Sequence, residues 1–149
     1  MNEFAQFELI YKHLIKVGDR ISIQPSIGIG SSSDEPSIIN RFSVGGYSRL
    51  KRINSINMIG SKPFSFSAQD YSMANLDIQY KVMDDIYLTL LTNATLVFSQ
   101  NVFGKLIEED YISAGLTIGY LSPFGPIDAG FSINENLNNY WHINIGFPF

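Results

Sequence analysis

The sequence predicts an all-β fold: an antiparallel, up-and-down segment of a transmembrane β-barrel with about seven strands. Large apolar residues alternate with small or polar ones through most of the chain, which is the period of a β-strand. The faces opposite the apolar ones are rich in Ser, Thr, Gly and Asn rather than in charged residues. The connections alternate between short and long, as in barrels whose turns and loops lie on opposite sides of a membrane.

Composition limits the class of protein and its partners. Charged residues make up 16% of the 149 residues, against about 25% in soluble domains. Cysteine is absent, which excludes disulfides and thiolate metal sites, and the net charge of −4 provides no basic field for nucleic acid. The sequence has neither an apolar run of about 18 residues for a transmembrane helix nor a signal peptide. We therefore expect any export signal to lie outside this sequence.

The first two strands are predicted over residues 5–17 and 20–30. In the first, alternate apolar side chains share one face, which His13 interrupts. A helix is an alternative for this stretch, because its apolar residues also recur at spacings of three and four. In the second strand, Pro25 and two glycines exclude a helix.

Residues 31–71 are predicted to form a long irregular loop. This stretch begins Ser-Ser-Ser-Asp-Glu-Pro and contains Gly45-Gly46 and a small basic cluster. A loop of about 40 residues without strands is unusual in a compact soluble domain, and loops of this length are commonly functional. The loop therefore argues against an ordinary soluble fold.

Five further strands follow the loop, each with alternating apolar and small polar residues. They are predicted over residues 73–82, 86–98, 111–121, 126–134 and 139–149. Aromatic residues near strand ends suit the interfacial girdles of a membrane barrel. These residues are Tyr11, Tyr80, Tyr120, Trp141, Phe147 and Phe149. A soluble lipocalin-like barrel that binds a ligand is the alternative, and it would turn the apolar face inward.

The number of strands is odd, whereas bacterial single-chain barrels close with an even number. An open sheet edge in lipid leaves backbone groups unpaired, at several kcal/mol each. We therefore expect a missing N-terminal barrel half or a partner chain to complete the closure.

The order of motifs resembles that of a known family. Two strands precede a loop with Arg-Phe-Ser-Val-Gly-Gly at 41–46, and five strands follow, with Ser-Pro-Phe-Gly-Pro-Ile at 122–127 and a final Asn-Ile-Gly-Phe-Pro-Phe. Over about residues 5–149 the chain resembles the C-terminal barrel half of the bacterial surface antigen superfamily, which includes outer-membrane assembly factors and two-partner secretion transporters. Gly45-Gly46-Tyr47, Asn57-Met-Ile-Gly60 and the terminal strand look most like the barrel of patatin-like phospholipases.

The resemblance implies a location and a function. Residues 1–149 would be the C-terminal part of an outer-membrane β-barrel domain, in contact with lipid of the bacterial outer membrane. Its function would be that of the membrane anchor or translocator of a patatin-like phospholipase-type surface protein. The alternative within the superfamily is the C-terminal half of an assembly or secretion transporter. Phe147 and Phe149 resemble the C-terminal signal that the barrel assembly machinery reads, although Pro148 departs from the usual pattern.

The resemblance also implies a contact inside the barrel. In the superfamily the long loop folds toward the lumen, where an Arg in a Val-Arg-Gly-Phe/Tyr motif meets acidic residues on the following strands. Here the motif falls on Leu-Lys-Arg-Ile, so a lysine takes the place of the Arg and the Gly is lost. The residues concerned are Gly45 and Gly46 at the loop turn, Lys51 and Arg52 in the motif, Asp77 as the retained acid, and Asn93 in place of the second acid. A contact of Lys51 or Arg52 with Asp77 is the hypothesis, and solvated loop charges are the alternative.

No residue pattern predicts catalysis, a cofactor or a metal site. A patatin-like domain needs a Gly-x-Ser-x-Gly elbow and an Asp-Gly dyad motif, and neither is present. Asp128 is better explained as a lumen residue than as part of such a dyad. His13 and His142 stand alone on separate strands, without the spacing of metal ligands. We expect this segment not to be an enzyme; any catalytic domain of the parent protein lies elsewhere.

Overall fold

A computed structural model describes residues 5–33, 41–47, 55–63, 65–100 and 106–146. The main sheet contains β1 (Gln6–Lys12), β2 (Ile15–Val17), β3 (Ile21–Ser32), β7 (Asp70–Met83), β8 (Ile86–Gln100), β9 (Leu106–Ser122), β10 (Gly125–Asn134) and β11 (Asn139–Ile145). A small second sheet contains β4 (Phe42–Val44), β5 (Ser55–Ile56) and β6 (Phe66–Ala68). None of the described segments forms a helix of the length and apolarity needed to cross a membrane.

The main sheet is an antiparallel meander in chain order, β1-β3-β7-β8-β9-β10-β11. β2 also pairs with β3 and continues β1 after a break at His13 and Leu14, so the two together are the first predicted strand. The helix alternative for residues 5–17 is therefore wrong. Within the described residues β1 and β11 each have a neighbour on one side only, so the sheet is not closed. The predicted all-β, up-and-down fold is confirmed.

The two faces of the main sheet differ as the alternation predicts. The apolar side chains of the strands point outward and are exposed; among them are Ile27, Ile29, Leu90, Ile112, Leu116, Ile118, Ile143 and Ile145. Small polar side chains on the opposite face are buried, including Ser26, Asn93, Thr95, Ser113, Thr117 and Ser132. A soluble ligand-binding barrel would show the reverse, with the apolar side chains gathered inside. That alternative is wrong.

The aromatic side chains predicted for the girdles lie on the outward face where the structure describes them. Tyr11, Tyr80, Tyr120 and Trp141 are all exposed there. Phe147 and Phe149 lie outside the described residues. The proposed assembly signal therefore stays a prediction.

The segment between β3 and β7 differs from the strandless loop predicted over 31–71. β3 continues to Ser32, β7 begins at Asp70, and β4 pairs in parallel with β5 and antiparallel with β6. The connection predicted at about 99–110 is also shorter, because β8 reaches Gln100 and β9 begins at Leu106. There, outward-facing acidic residues replace the apolar ones, which hides the alternation although the strand continues.

The small sheet and its neighbouring turns fold back over the inward face of the main sheet. We call the described part of this segment, residues 41–47, 55–63 and 65–69, the plug. Its apolar side chains form a buried cluster with two main-sheet residues; the members are Phe42, Val44, Ile56, Met58, Ala68, Tyr71 and Val97. The rings of Phe42 and Tyr71 meet edge to face, with their centroids 4.9 Å apart. The predicted folding of the long loop toward the lumen is confirmed.

Candidate functional site

The plug is fastened to β9 and β10 by three hydrogen bonds around Gly60. The Ser113 hydroxyl donates to the Ile59 carbonyl over 2.7 Å. The Gly60 amide donates to the Ser132 hydroxyl over 2.9 Å, and the Asn134 side-chain amide donates to the Gly60 carbonyl over 3.1 Å. We call these five residues the Gly60 clamp. It uses small polar side chains of the lumen face to satisfy backbone groups of the plug that would otherwise be buried without partners.

Gly60 is required in the clamp for two physical reasons. Its φ of 75° lies in the left-handed region, which favours glycine. A Cβ added to it would lie 2.6 Å from the Cβ of Ser113, closer than two carbon atoms of different segments can approach. The plug can therefore lie against β9 only with a glycine at this position.

The predicted loop turn, Gly45-Gly46, connects β4 to the rest of the plug. The two glycines have φ values of 134° and 74°. The Gly45 amide donates to the Ile56 carbonyl over 3.1 Å, and the Met58 amide donates to the Gly46 carbonyl over 2.9 Å. A third bond of the turn is made by the Gly46 amide, which donates to the Ser61 hydroxyl over 3.1 Å. Left-handed backbone at this turn thus sets the register of the plug strands.

Asn93 lies at the centre of a ladder of polar side chains across β3, β7 and β8. Its side-chain amide donates to Asn75 Oδ1 over 2.6 Å, and Asn75 donates in turn to the Ser26 hydroxyl over 3.2 Å. On its other side the Thr95 hydroxyl donates to Asn93 Oδ1 over 3.0 Å. Asn93 and Thr95 are buried. The side-chain amide of Asn93 donates to one neighbour and accepts from the other. A carboxylate at this position could only accept.

Replacing Asn93 with alanine is expected to lower the free energy of unfolding by about 1–2 kcal/mol, because it leaves the half-buried amide oxygen of Asn75 and the buried hydroxyl of Thr95 without these partners. Chemical denaturation of the complete gene product in detergent measures this loss of stability. Asn136→Ala is the matched control, because that side chain is exposed in the connection between β10 and β11 and should change the value by less than about 0.5 kcal/mol. Equal losses for the two variants would contradict the role of the ladder.

Asp77 and Asn93, two of the residues singled out in the sequence, line the same cavity of about 390 Å³ between the plug and the main sheet. Tyr47 and Asn57 of the plug also contribute to its lining. Lys51 and Arg52 lie outside the described residues. Their contact with Asp77 therefore stays a prediction.

Asp128 lies on the inward face of β10, at the position expected of a lumen residue. Its carboxylate is fully buried and accepts a hydrogen bond of 2.9 Å from the side-chain amide of Asn144 on β11. His142 Nε2 lies 4.0 Å from Asp128 Oδ2. The ring of Tyr47 packs on His142 with a centroid separation of 4.7 Å. The plug thus contacts the last strand of the sheet as well as β9 and β10.

Sequence reasoning did not find the Gly60 clamp or the apolar cluster of the plug. Ser113 and Ser132 have the same appearance in the sequence as the other small lumen residues, and only the position of the plug distinguishes them. One signal was present: Gly60 ends Asn57-Met-Ile-Gly60, one of the motifs on which the resemblance depends. In the structure that motif carries a residue of the apolar cluster, Met58, and the clamp glycine.

Comparison with known proteins agrees with this architecture. The family model of the OMP85 superfamily matches residues 1–149. No curated protein and no solved structure matches the chain. The superfamily is an outer-membrane family, and lipid is the environment that suits the outward apolar face. Since the match spans every strand of the main sheet together with the plug, the chain belongs to the OMP85 superfamily of outer-membrane β-barrels.

Proposed function

We propose that the chain is the membrane-anchoring barrel portion of a patatin-like phospholipase-type surface protein. In this role it holds a lipid acyl hydrolase domain, encoded elsewhere in the same protein, at the outer membrane. The observation that carries the proposal is the packing of the plug, in which Phe42, Val44 and Met58 are each at most 1% exposed. A plug with its own apolar core and three bonds to the wall is suited to a permanent seal, as an anchor requires.

The departure from the superfamily motif supports the same proposal. Residues 50–53 read Leu-Lys-Arg-Ile where assembly factors carry Val-Arg-Gly-Phe/Tyr. Lysine cannot reproduce the planar, bidentate contact that arginine makes with a carboxylate. The absence of arginine at this motif position disfavours an assembly role, whereas anchoring does not depend on it.

A transporter for the assembly or secretion of polypeptides is the second candidate, and it is favoured by membership of the superfamily itself. The two candidates differ in the part of the protein that precedes the barrel. A patatin-like domain would supply a Gly-x-Ser-x-Gly nucleophile elbow. A transporter would carry polypeptide-transport domains instead.

The experiment that separates them uses the product of the complete gene in isolated outer membranes. We expect these membranes to hydrolyse phospholipid, and we expect Ser→Ala at the elbow to abolish hydrolysis while the protein stays in the membrane fraction. Membranes without hydrolysis, together with reduced secretion or assembly of other proteins after gene deletion, would support the transporter.

We infer that strands from an N-terminal barrel half or from a partner chain complete the sheet. Counting β1 and β2 as one, the meander has seven strands of alternating direction, so its edge strands β1 and β11 run in the same direction. A second copy of the same sheet would have to join β11 to β1 in parallel. A partner with an odd number of strands keeps every pairing antiparallel, as in known outer-membrane barrels.

If strands from outside this chain complete the sheet, the 149-residue chain and the product of the complete gene should fold differently in phospholipid vesicles. The 149-residue chain alone should remain accessible to protease, because open edges in lipid leave backbone groups unpaired. The product of the complete gene should become protease-resistant and migrate as a compact species on unheated gels. A protease-resistant, closed barrel formed by the chain alone would contradict the inference.

A further inference from the structure

The outward face of β7, β8 and β9 contains a groove with small side chains along its floor. In the strand register Ala74 stands opposite Ala94, and Thr92 stands opposite Ala114. Ser72 precedes Ala74 by two positions and therefore lies on the same face of β7. These five residues form a stepped line that starts on the loop side and descends across three strands. We call this feature the outward groove.

Large apolar side chains border the outward groove. Ile27 and Ile29 of β3 line one side and Ile112 of β9 lines the other, and all three are exposed. The groove consists of two adjoining cavities of about 470 and 600 Å³, which share Ala74, Ala94 and Ile112. Both volumes lie within the range of about 300–1,000 Å³ that is typical of ligand sites.

The floor of the outward groove suits an apolar chain. The Thr92 hydroxyl is turned back to the protein, where it donates to the Leu76 carbonyl over 2.8 Å. The methyl groups of the alanines face the groove beside it. The groove also lies at the level of Ile112 and Ala114, where the outward residues of β9 are apolar. Hydrocarbon of the membrane is the environment that suits this level.

The loop-side end of the outward groove carries a carboxylate. Asp110 lines the groove there and stands opposite Leu96 of β8. Its side chain is exposed, and within the described residues it forms neither a hydrogen bond nor a salt bridge. Asp110 is also where the outward face of β9 changes from apolar to acidic toward the loop side. The groove thus joins an apolar channel to a negative charge at the level expected for lipid headgroups.

We propose that the outward groove binds one phospholipid with an ammonium headgroup, of the phosphatidylethanolamine class. An acyl chain of the lipid lies along the alanine floor between the isoleucine walls, and the ammonium group pairs with Asp110. A lipid with an anionic headgroup fits less well, because it would place like charges together. This site is separate from the anchoring role and does not depend on the identity of any fused enzyme.

The test measures lipid retention by the complete gene product in detergent, using native mass spectrometry. The probes are phosphatidylethanolamine and phosphatidylglycerol with identical acyl chains. We expect one phosphatidylethanolamine to be retained about threefold to fivefold more than phosphatidylglycerol, the ratio that an exposed ion pair can supply. Asp110→Asn should abolish this preference. Glu108→Gln is the matched control and should preserve it, because Glu108 lies on the same face of β9 but does not line the groove.

Filling the floor tests the path of the acyl chain. Ala94→Leu should lower the retention of phosphatidylethanolamine about tenfold, because it displaces the chain from contact with roughly two methylene groups. Ala129→Leu is the matched control and should leave retention unchanged. Ala129 lies on the outward face of β10, opposite Ile118 and Ile143, and lines neither cavity of the groove.

Four results would overturn the proposal. The first is the absence of a retained lipid in the wild-type protein. The second is equal retention of the two lipids, or an unchanged preference after Asp110→Asn. The third is stronger retention of phosphatidylglycerol that magnesium ions induce and a chelator reverses, which would assign the carboxylate to a bridged phosphate. The fourth is a change of oligomeric state, without a change in lipid retention, after Ala94→Leu, which would make the groove a contact between protein chains.

Discussion

Alanine at position 60 is expected to release the plug from β9 and β10 and to lower the free energy of unfolding by about 3 kcal/mol. About 1 kcal/mol comes from placing a Cβ on left-handed backbone. The contact of 2.6 Å with the Cβ of Ser113 then forces the plug away from the wall. This movement breaks the bonds of Gly60 with Ser132 and Asn134, which contribute about 1 kcal/mol each.

Gly18→Ala is the matched control for this prediction. Gly18 has a φ of 70°, close to the 75° of Gly60, but an added Cβ would meet nothing within 4 Å. It should therefore show only the backbone penalty of about 1 kcal/mol. Chemical denaturation in detergent measures both variants. Equal stability losses would show that the clamp contributes nothing beyond backbone conformation.

The strands of the main sheet could be predicted because each is long enough for alternation to show. In β11, for example, Trp141, Ile143 and Ile145 face outward, and Tyr140, His142 and Asn144 face the lumen side. One side of these strands faces outward, where lipid suits it, and the other faces the lumen side, where the plug packs. Large apolar and small polar residues are therefore sorted between the two sides over many positions, with exceptions such as Tyr71 and Val97, which pack against the plug.

The plug could not be predicted in the same way. β4 has three residues and β5 has two, which is too short for a period of two to be distinguished from chance. Their stability comes from burial of Phe42, Val44 and Ile56 against Tyr71 and Val97, which are distant in sequence. The resemblance supplied Asp77, Asn93 and the turn glycines. It did not supply the hydroxyl groups of Ser113 and Ser132 that bind the plug, because their partners are backbone atoms, which no side-chain motif records.

The outward face of β9 indicates where the membrane lies. From Ile112 to Tyr120 its outward residues are apolar or aromatic, whereas Glu108 and Asp110 continue the same face toward the loop side. Eight residue steps of a strand tilted by about 40° span roughly 21 Å, close to the apolar band of about 25 Å found in outer-membrane barrels. Leu116 lies at the middle of this span, and Tyr120 lies at its edge near the short turns.

Leu116→Arg is therefore expected to lower the free energy of unfolding in phospholipid vesicles by about 2–4 kcal/mol, because it places a charge at the centre of the bilayer. Tyr120→Arg, on the same face of the same strand, should lower it by only about 0–1 kcal/mol, because its guanidinium reaches the interface. Denaturant titration of the complete gene product, inserted in vesicles, measures both losses of stability. The difference between the two stability losses reports the depth of each position in the bilayer, since both side chains are outward-facing and exposed. If the two variants lost equal stability, the band from Ile112 to Tyr120 would not be the part of β9 that crosses the hydrocarbon.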